Sequence, residues 1–198
     1  MHSEPPPTLT RDRLAGLPQA VVERLAAVRA VLLDVDGVLT DGGIVVDAEG
    51  RETMRFHVRD GSGIWLAHRA GLKIGLITGR STGIPTEYAR TLPIDEVVEG
   101  CRDKAQGAAD LIAEWGLDWE QACYIADDVI DATALRRVGA PVCVADATRD
   151  IHELVIYVTE ASGGQGAVRE VLDLIVEAQG RRDELLARFL GERVGGGS

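Results

Sequence analysis

No stretch of the 198-residue chain runs eighteen apolar residues without interruption, so none is long enough to cross a bilayer as a helix. Basic residues are also in short supply. The chain has 21 Lys and Arg against 32 Asp and Glu, a formal net charge of −11. Nucleic acid and anionic lipid both need a basic face, so neither is expected as a partner. A small anionic substrate needs only a few local arginines and stays open. Cysteine is scarce and unpatterned: Cys101, Cys123 and Cys143 form an odd number with no C-x-x-C spacing. That argues against a disulfide framework or a zinc site and for small core hydrophobes. The four histidines show no metal-ligand spacing. The N-terminal MHSEPPPTLTRDR lacks the apolar stretch of a secretory leader. Residues 1–16 are expected to be a flexible lead-in to a cytoplasmic protein.

What is present is a set of short aliphatic runs. They are VLLDV (31–35), LKIGLIT (72–78), ACYIAD (122–127), PVCVAD (141–146), ELVIYVT (153–159) and the weaker DEVVE (95–99). Unbroken runs suit strands buried on both faces of a parallel sheet. Helical spacing separates them over 64–70, 86–92, 104–115 and 129–138. The alternation predicts an α/β fold with a doubly wound parallel sheet, whose ligands bind at the strand C-termini. One insertion breaks the pattern: residues 42–58 read as a small β-hairpin around the turn AEGR, beside that edge. The main domain is placed at 17–180. An amphipathic helix closes it over AVREVLDLIVEAQ, Gly180 interrupts that helix, and 181–198 is expected to hold a further helix and a mobile Gly-rich tail.

The strand ends carry the chemistry. The first run ends at Asp34-x-Asp36, the second at Thr78-Gly79-Arg80, and the third at Asp127-Asp128 with Asp131 following; Lys104 opens a helix before the third. Ionised carboxylates that close repel one another unless something positive lies between them. Mg²⁺, a hard cation that takes oxygen ligands and keeps waters for a phosphate to replace, fits that density best. A carboxylate, a hydroxyl and a lysine around Mg²⁺ are also the parts that phosphoryl transfer needs. Which aspartate attacks does not follow from the spacing.

The quoted segments resemble the haloacid dehalogenase superfamily of phosphatases. DVDGVLTDG matches its first motif, ITGR its second, Lys104 its third and DDVID its fourth. FHVRDG (56–61), VADA (144–147) and GGQGAVRE (163–170) narrow the resemblance to the 3-deoxy-D-manno-octulosonate (KDO) 8-phosphate phosphatase family, over roughly 17–180. The resemblance implies a Mg²⁺-dependent hydrolase of lipopolysaccharide biosynthesis with no large cap domain, acting on a sugar phosphate. It implies Asp34 as nucleophile, Asp36 as general acid and base, and Thr78 and Lys104 as holders of the phosphoryl group. Asp34, the Asp36 carbonyl and Asp127 are the implied metal ligands, supported by Asp128 and Asp131. Arg59, Asp60, Gly79 and Arg80 are the candidates for substrate binding. A homotetramer is also implied, with hairpins packed together and a neighbouring subunit helping to close each site. Three departures from the family pattern stand out. Ala126 occupies a position where Gly is usual, CRDK replaces an Asn or Ser before the lysine, and Gly83 and Pro85 fall where the helix after ITGR begins.

Two other readings compete. A phosphatase for a nine-carbon ulosonate 9-phosphate would share every motif. A phospho-receiver module, or a degenerate regulatory relative, would be no enzyme at all. Receivers carry adjacent acids on the first strand, whereas here the first strand carries D-x-D and the adjacent pair comes late.

Overall fold

The computed structural model of the chain describes residues 13–189. Its strands are β1 (Ala30–Leu33), β2 (Val45–Val46), β3 (Glu52–Thr53), β4 (Lys73–Ile77), β5 (Glu96–Val98), β6 (Ala122–Ala126), β7 (Ala140–Cys143) and β8 (Tyr157–Val158). Six of them form the central sheet, wholly parallel, in the order β5-β4-β1-β6-β7-β8. β1 lies between β4 and β6, with Leu33 opposite Leu76 on one side and Ile125 on the other. All four residues of β1 are fully buried, as are the five of β6. That double-sided burial is why these segments are unbroken aliphatic runs rather than alternating ones. Cys123 and Cys143 belong to this core and Cys101 packs at its margin.

The helices pack in two groups. α1 (Gln19–Ala27) and α2 (Val58–Arg69) lie against α6 (Ala167–Ala178), while α4 (Lys104–Glu114) packs on β4 and on the short α5 (Ala132–Leu135). α3 (Ile84–Ala89) sits by β5, and α7 (Arg182–Phe189) follows α6. Gly180, at φ 67°, separates those last two helices. Of the expected lead-in, residues 1–12 lie outside the described residues, and Arg13 pairs with Asp173 of α6 at 3.0 Å. The tail from residue 190 onward also lies outside them.

Several elements depart from the sequence expectation. α1 has no counterpart in it: only Val21 and Leu25 of this helix are buried, a stripe one residue wide. α2 begins at Val58, a turn and a half before the expected Ile64. Gly61 and Gly63 lower its helix propensity, but a Cβ on Gly63 would stand 3.1 Å from the Arg169 Cα, so the glycine permits close approach of α2 to α6. ELVIYVT is a strand only at Tyr157–Val158, because Arg149–Leu154 coils into a 3₁₀ turn. The segment 129–138 is likewise a 3₁₀ turn over Val129–Asp131 followed by one turn of α-helix. Pro85 falls in the first turn of α3, where its missing N–H costs nothing.

The insertion after β1 is a hairpin in which β2 and β3 pair antiparallel. Asp47 builds its turn: Oδ1 accepts the N–H groups of Glu49 and Arg51, and Gly50 donates to the Asp47 carbonyl. At its base Phe56 stacks on Tyr88 of α3, with ring centroids 3.8 Å apart. The ribbon itself hides little apolar surface. Ile44, Val45, Val46 and Val58 are 51%, 65%, 56% and 84% exposed.

Candidate active site

Asp34 is the residue that follows β1, and Lys104 is the first residue of α4. The Lys104 ammonium donates to Asp34 Oδ1 at 2.5 Å and to the Ile77 carbonyl at 2.7 Å, and it lies 3.3 Å from Asp131 Oδ1. Asp34, Lys104 and Asp131 are 3%, 2% and 0% exposed, so this ion pair is out of contact with water. Asp131 also accepts the hydroxyl of Tyr124, a buried residue in the middle of β6, at 2.9 Å. Its other oxygen, Oδ2, is buried and makes no hydrogen bond.

Asp34, Asp127 and Asp131 each turn an oxygen toward a common point, all within 4.8 Å of one another. Burial first, and then the charges of Asp34, Asp131 and Asp128, push the Asp127 carboxyl up to about 7. Burial and the Asp34 charge raise Asp131 to about 6, against the pull of Lys104 and Tyr124. Burial also lifts Asp34 above the ordinary carboxylate range, though Lys104 opposes it. Burial pulls the Lys104 ammonium toward neutrality, but Asp34 and Asp131 outweigh that and hold it charged. Three carboxylates and one ammonium leave two negative charges, the complement of a divalent cation. Hard oxygen donors and an unpartnered buried Asp131 oxygen both suit Mg²⁺.

Glycine lets the loop after β1 come this close. Gly37 has φ 87°, and a Cβ there would stand 2.0 Å from Asp127 Oδ2. Any other residue there would be strained at that φ and would push the Asp127 carboxylate aside. Asp36 points elsewhere: its Oδ2 accepts the Thr78 hydroxyl at 3.2 Å, and its Oδ1 lies 3.9 Å from the Arg80 guanidinium. The Arg80 N–H in turn donates to Thr78 Oγ1 at 3.1 Å.

The structure therefore brings together Asp34, Asp36, Thr78, Arg80, Lys104, Asp127 and Asp131 at one sheet edge. Gly79 adjoins them in the turn after β4, with the Cys101 carbonyl 3.7 Å from where its Cβ would be. Asp128 supports from beside the cluster, its Oδ1 accepting the Val129 N–H at 2.6 Å to cap the turn that delivers Asp131. Capping thus falls to Asp128, which leaves Asp127 free to face the others. Two candidates are placed differently. Asp60 is fully buried and accepts the Arg169 N–H at 2.8 Å, at the start of α6. Arg59 is exposed on the first turn of α2.

The departures from the family pattern are absorbed locally. Asp103 of CRDK caps α4, accepting the Gln106 N–H at 3.1 Å, a service that Asn or Ser performs equally well. Ala126 is fully buried at the end of β6. Two residues of the site were not anticipated. Tyr124 carries the signal of a lone hydroxyl in an otherwise aliphatic strand, which must find a buried partner. Glu52 of the hairpin accepts from the Arg80 guanidinium, and nothing in the sequence links positions so far apart.

Comparison with known proteins agrees with this geometry. No protein-family model matches the chain. It is 40% identical to the 3-deoxy-D-manno-octulosonate 8-phosphate phosphatase of Escherichia coli (strain K12) over 168 residues, covering 83% of this chain and 87% of that one. It is similar in fold to the Moraxella catarrhalis 3-deoxy-D-manno-octulosonate 8-phosphate phosphatase, solved in complex with magnesium, phosphate and KDO. That match has a TM-score of 0.83 at 34% identity and covers 85% of this chain and 97% of the other. The cobalt-bound Haemophilus influenzae phosphatase matches with a TM-score of 0.77 at 38% identity, over 79% of this chain and 92% of that one. Identity of this order across most of both chains shows that the protein belongs to the 3-deoxy-D-manno-octulosonate 8-phosphate phosphatase family of the haloacid dehalogenase superfamily.

Proposed function

We propose that the chain is a Mg²⁺-dependent phosphatase that hydrolyses 3-deoxy-D-manno-octulosonate 8-phosphate to the free sugar acid and phosphate. The observation that carries this reading is the buried Lys104–Asp34 pair at 2.5 Å with Asp127 and Asp131 converging beside it. Asp34, Asp127 and the Asp36 carbonyl are the ligands proposed for Mg²⁺, supported by Asp128 and Asp131. The ion, when bound, offsets the charge of the phosphoryl oxygens and of the carboxylates around them. Lys104 holds one Asp34 oxygen and fixes the direction of the other. That second oxygen attacks phosphorus as the bond to the sugar oxygen breaks, giving an aspartyl-phosphate. Asp36, in its acid form, passes its proton to the departing sugar oxygen. The resulting carboxylate then takes a proton from water as the water oxygen attacks phosphorus and frees Asp34. Thr78 and Arg80 flank Asp36 and are the proposed contacts to phosphoryl and sugar-acid oxygens.

The hairpin supports assembly. It leaves Ile44, Val45 and Val46 exposed, and α2 and α3 bound an apolar cavity of about 560 Å³ lined by Val58, Trp65, Tyr88 and Leu92. An isolated two-stranded ribbon is marginal in water. Burial against the same hairpin of other subunits, in a closed tetramer, is the proposed solution.

Three results are expected. Asp34→Asn loses the attacking charge and a ligand but little volume, so turnover falls by at least ~10³-fold while the circular dichroism spectrum is kept. Activity within tenfold of wild type would place the nucleophile elsewhere. Comparing rates on the eight-carbon 8-phosphate and a nine-carbon ulosonate 9-phosphate then fixes the sugar.

The second result concerns pH. With Asp127 at about 7 in the metal-free protein, Mg²⁺ must displace a proton below that pH and need not above it. Titration calorimetry should show affinity falling by about tenfold per pH unit just below neutrality, more steeply below about 6 where Asp131 is also protonated, and levelling off above neutrality. Mg²⁺ affinity that stays flat across the range from mildly acidic to mildly alkaline pH would contradict the ligand set.

The third result tests the hairpin. Replacing residues 44–57 with a short glycine linker should leave a monomer or dimer in sedimentation. That variant should lose far more activity on the sugar-acid phosphate than on p-nitrophenyl phosphate. A wild-type protein that is monomeric at micromolar concentration and fully active would overturn the assembly.

A further inference from the structure

VADA and GGQGAVRE contribute no reacting group, yet the structure sets both beside the loops that carry the carboxylate cluster. The segment after β7 holds the main chain on either side of Asp127. Val144 donates to the Ala126 carbonyl at 3.1 Å, and Thr148 donates to the Asp127 carbonyl at 2.8 Å. The Thr148 hydroxyl reaches Asp128 Oδ1 at 3.4 Å.

The GGQG segment leans on the other side of the site. Gly164 donates to the Val38 carbonyl at 2.9 Å. Gly163 has no space for a side chain, since a Cβ would stand 1.7 Å from the Gly37 carbonyl oxygen. Gly37 in turn has none on the Asp127 side, where its Cβ would stand 2.0 Å from Oδ2. Contact therefore runs backbone to backbone from Gly163 to Gly37, and from Gly37 onto the Asp127 side chain. Backbone on backbone transmits a displacement with little loss in the first of these contacts, and the Asp127 carboxylate, packed against Gly37, takes its place from where that loop lies.

Two acids fix where Gly163 lies. Glu170, in the first turn of α6, accepts the N–H groups of Glu160 and Ala161 at 2.9 and 3.0 Å and the Tyr157 hydroxyl at 2.6 Å. That fixes the segment by which the chain enters the glycines, tying it to the helix that follows them. The bond made by Gly163 itself goes to Asp146, whose Oδ1 accepts its N–H at 2.9 Å. Asp146 stands between Val144 and Thr148, the two residues that hold the main chain around Asp127. One short segment, 144–148, thus grips Asp127 from behind and, through Asp146, holds the loop that presses on it from in front.

We propose that Asp146 is a positioning residue for the cation site: its hydrogen bond to Gly163 clamps the GGQG loop against Gly37 and so sets the place of the Asp127 carboxylate. The inference rests on the reading of Asp34, Asp127 and Asp131 as a Mg²⁺ site. Asp146 is exposed, so water screens its charge, and its effect on the site runs through the bond rather than the field. The two routes separate by substitution. Asparagine keeps an oxygen acceptor for the Gly163 N–H and removes the charge, whereas alanine removes both.

The experiment is Mg²⁺ titration calorimetry on the full chain for wild type, Asp146→Ala and Asp146→Asn, with a thermal melt of each metal-free protein. Asp146→Ala should weaken Mg²⁺ binding by about tenfold, the usual scale for losing a group that orients a ligand. Its kcat at saturating Mg²⁺ should return to within about twofold of wild type, since no reacting group is lost. Asp146→Asn should bind Mg²⁺ as wild type does. An alanine variant that matches wild type in Mg²⁺ affinity would overturn the proposal, as would an asparagine variant as weak as alanine. If wild type binds no Mg²⁺, the cation site itself falls, and the proposal with it.

Discussion

An ammonium group placed inside a protein loses hydration worth roughly several kcal/mol unless charged and polar partners replace the water. Lys104 is 2% exposed, and its partners are Asp34, Asp131 and the Ile77 carbonyl. Those partners come from the ends of β1 and β4 and from the turn after β6, three neighbouring strands of the sheet. One side chain therefore ties together the edge on which the chemistry depends. Removing Lys104 would leave Asp34 and Asp131 as buried carboxylates without their cation, whereas removing Asp34 leaves Lys104 still paired with Asp131 and the Ile77 carbonyl. The pair also leaves the cluster short of positive charge, and that deficit is what a divalent cation meets.

The same edge shows how backbone and side chains divide the work. Carboxylates close to one another are held in place by main-chain contacts rather than by more charge. Gly37 brings the D-x-D loop against Asp127, and Gly163 brings a second loop against Gly37. Asp128 and Asp103 use their carboxylates to cap the turns that deliver Asp131 and Lys104. The raised values of Asp127 and Asp131, about 7 and about 6, express first the cost of burying them and then that of crowding them together in the metal-free protein. Binding affinity for a cation is thereby stored in the fold.

Much of this was legible in the sequence. Strands buried on both faces announce themselves as aliphatic runs, and β1, β4, β6 and β7 lie where those runs are. Helices were harder. The α1 stripe of Val21 and Leu25 is too narrow to stand out, and the glycines of α2 are explained only by α6, far away in sequence. The aspartates at the strand ends followed from the fold, because a parallel sheet gathers its strand C-termini at one edge. Asp60 shows the limit. Next to Arg59 in FHVRDG it reads as a substrate contact, but its burial against Arg169 depends on helix packing that no local motif encodes. The Glu52–Arg80 pair was hidden for the same reason, joining a hairpin to a strand end 28 residues away.

The central claim is that Asp34, steered by Lys104, becomes covalently phosphorylated during turnover. Borohydride added to the enzyme while it turns over its sugar-acid phosphate reduces an acyl-phosphate to the alcohol, and peptide mass spectrometry locates the change. The account predicts reduction at Asp34, dependent on both substrate and Mg²⁺. Reduction at Asp36 or Asp127 instead, or no reduced aspartate during active turnover, would contradict it.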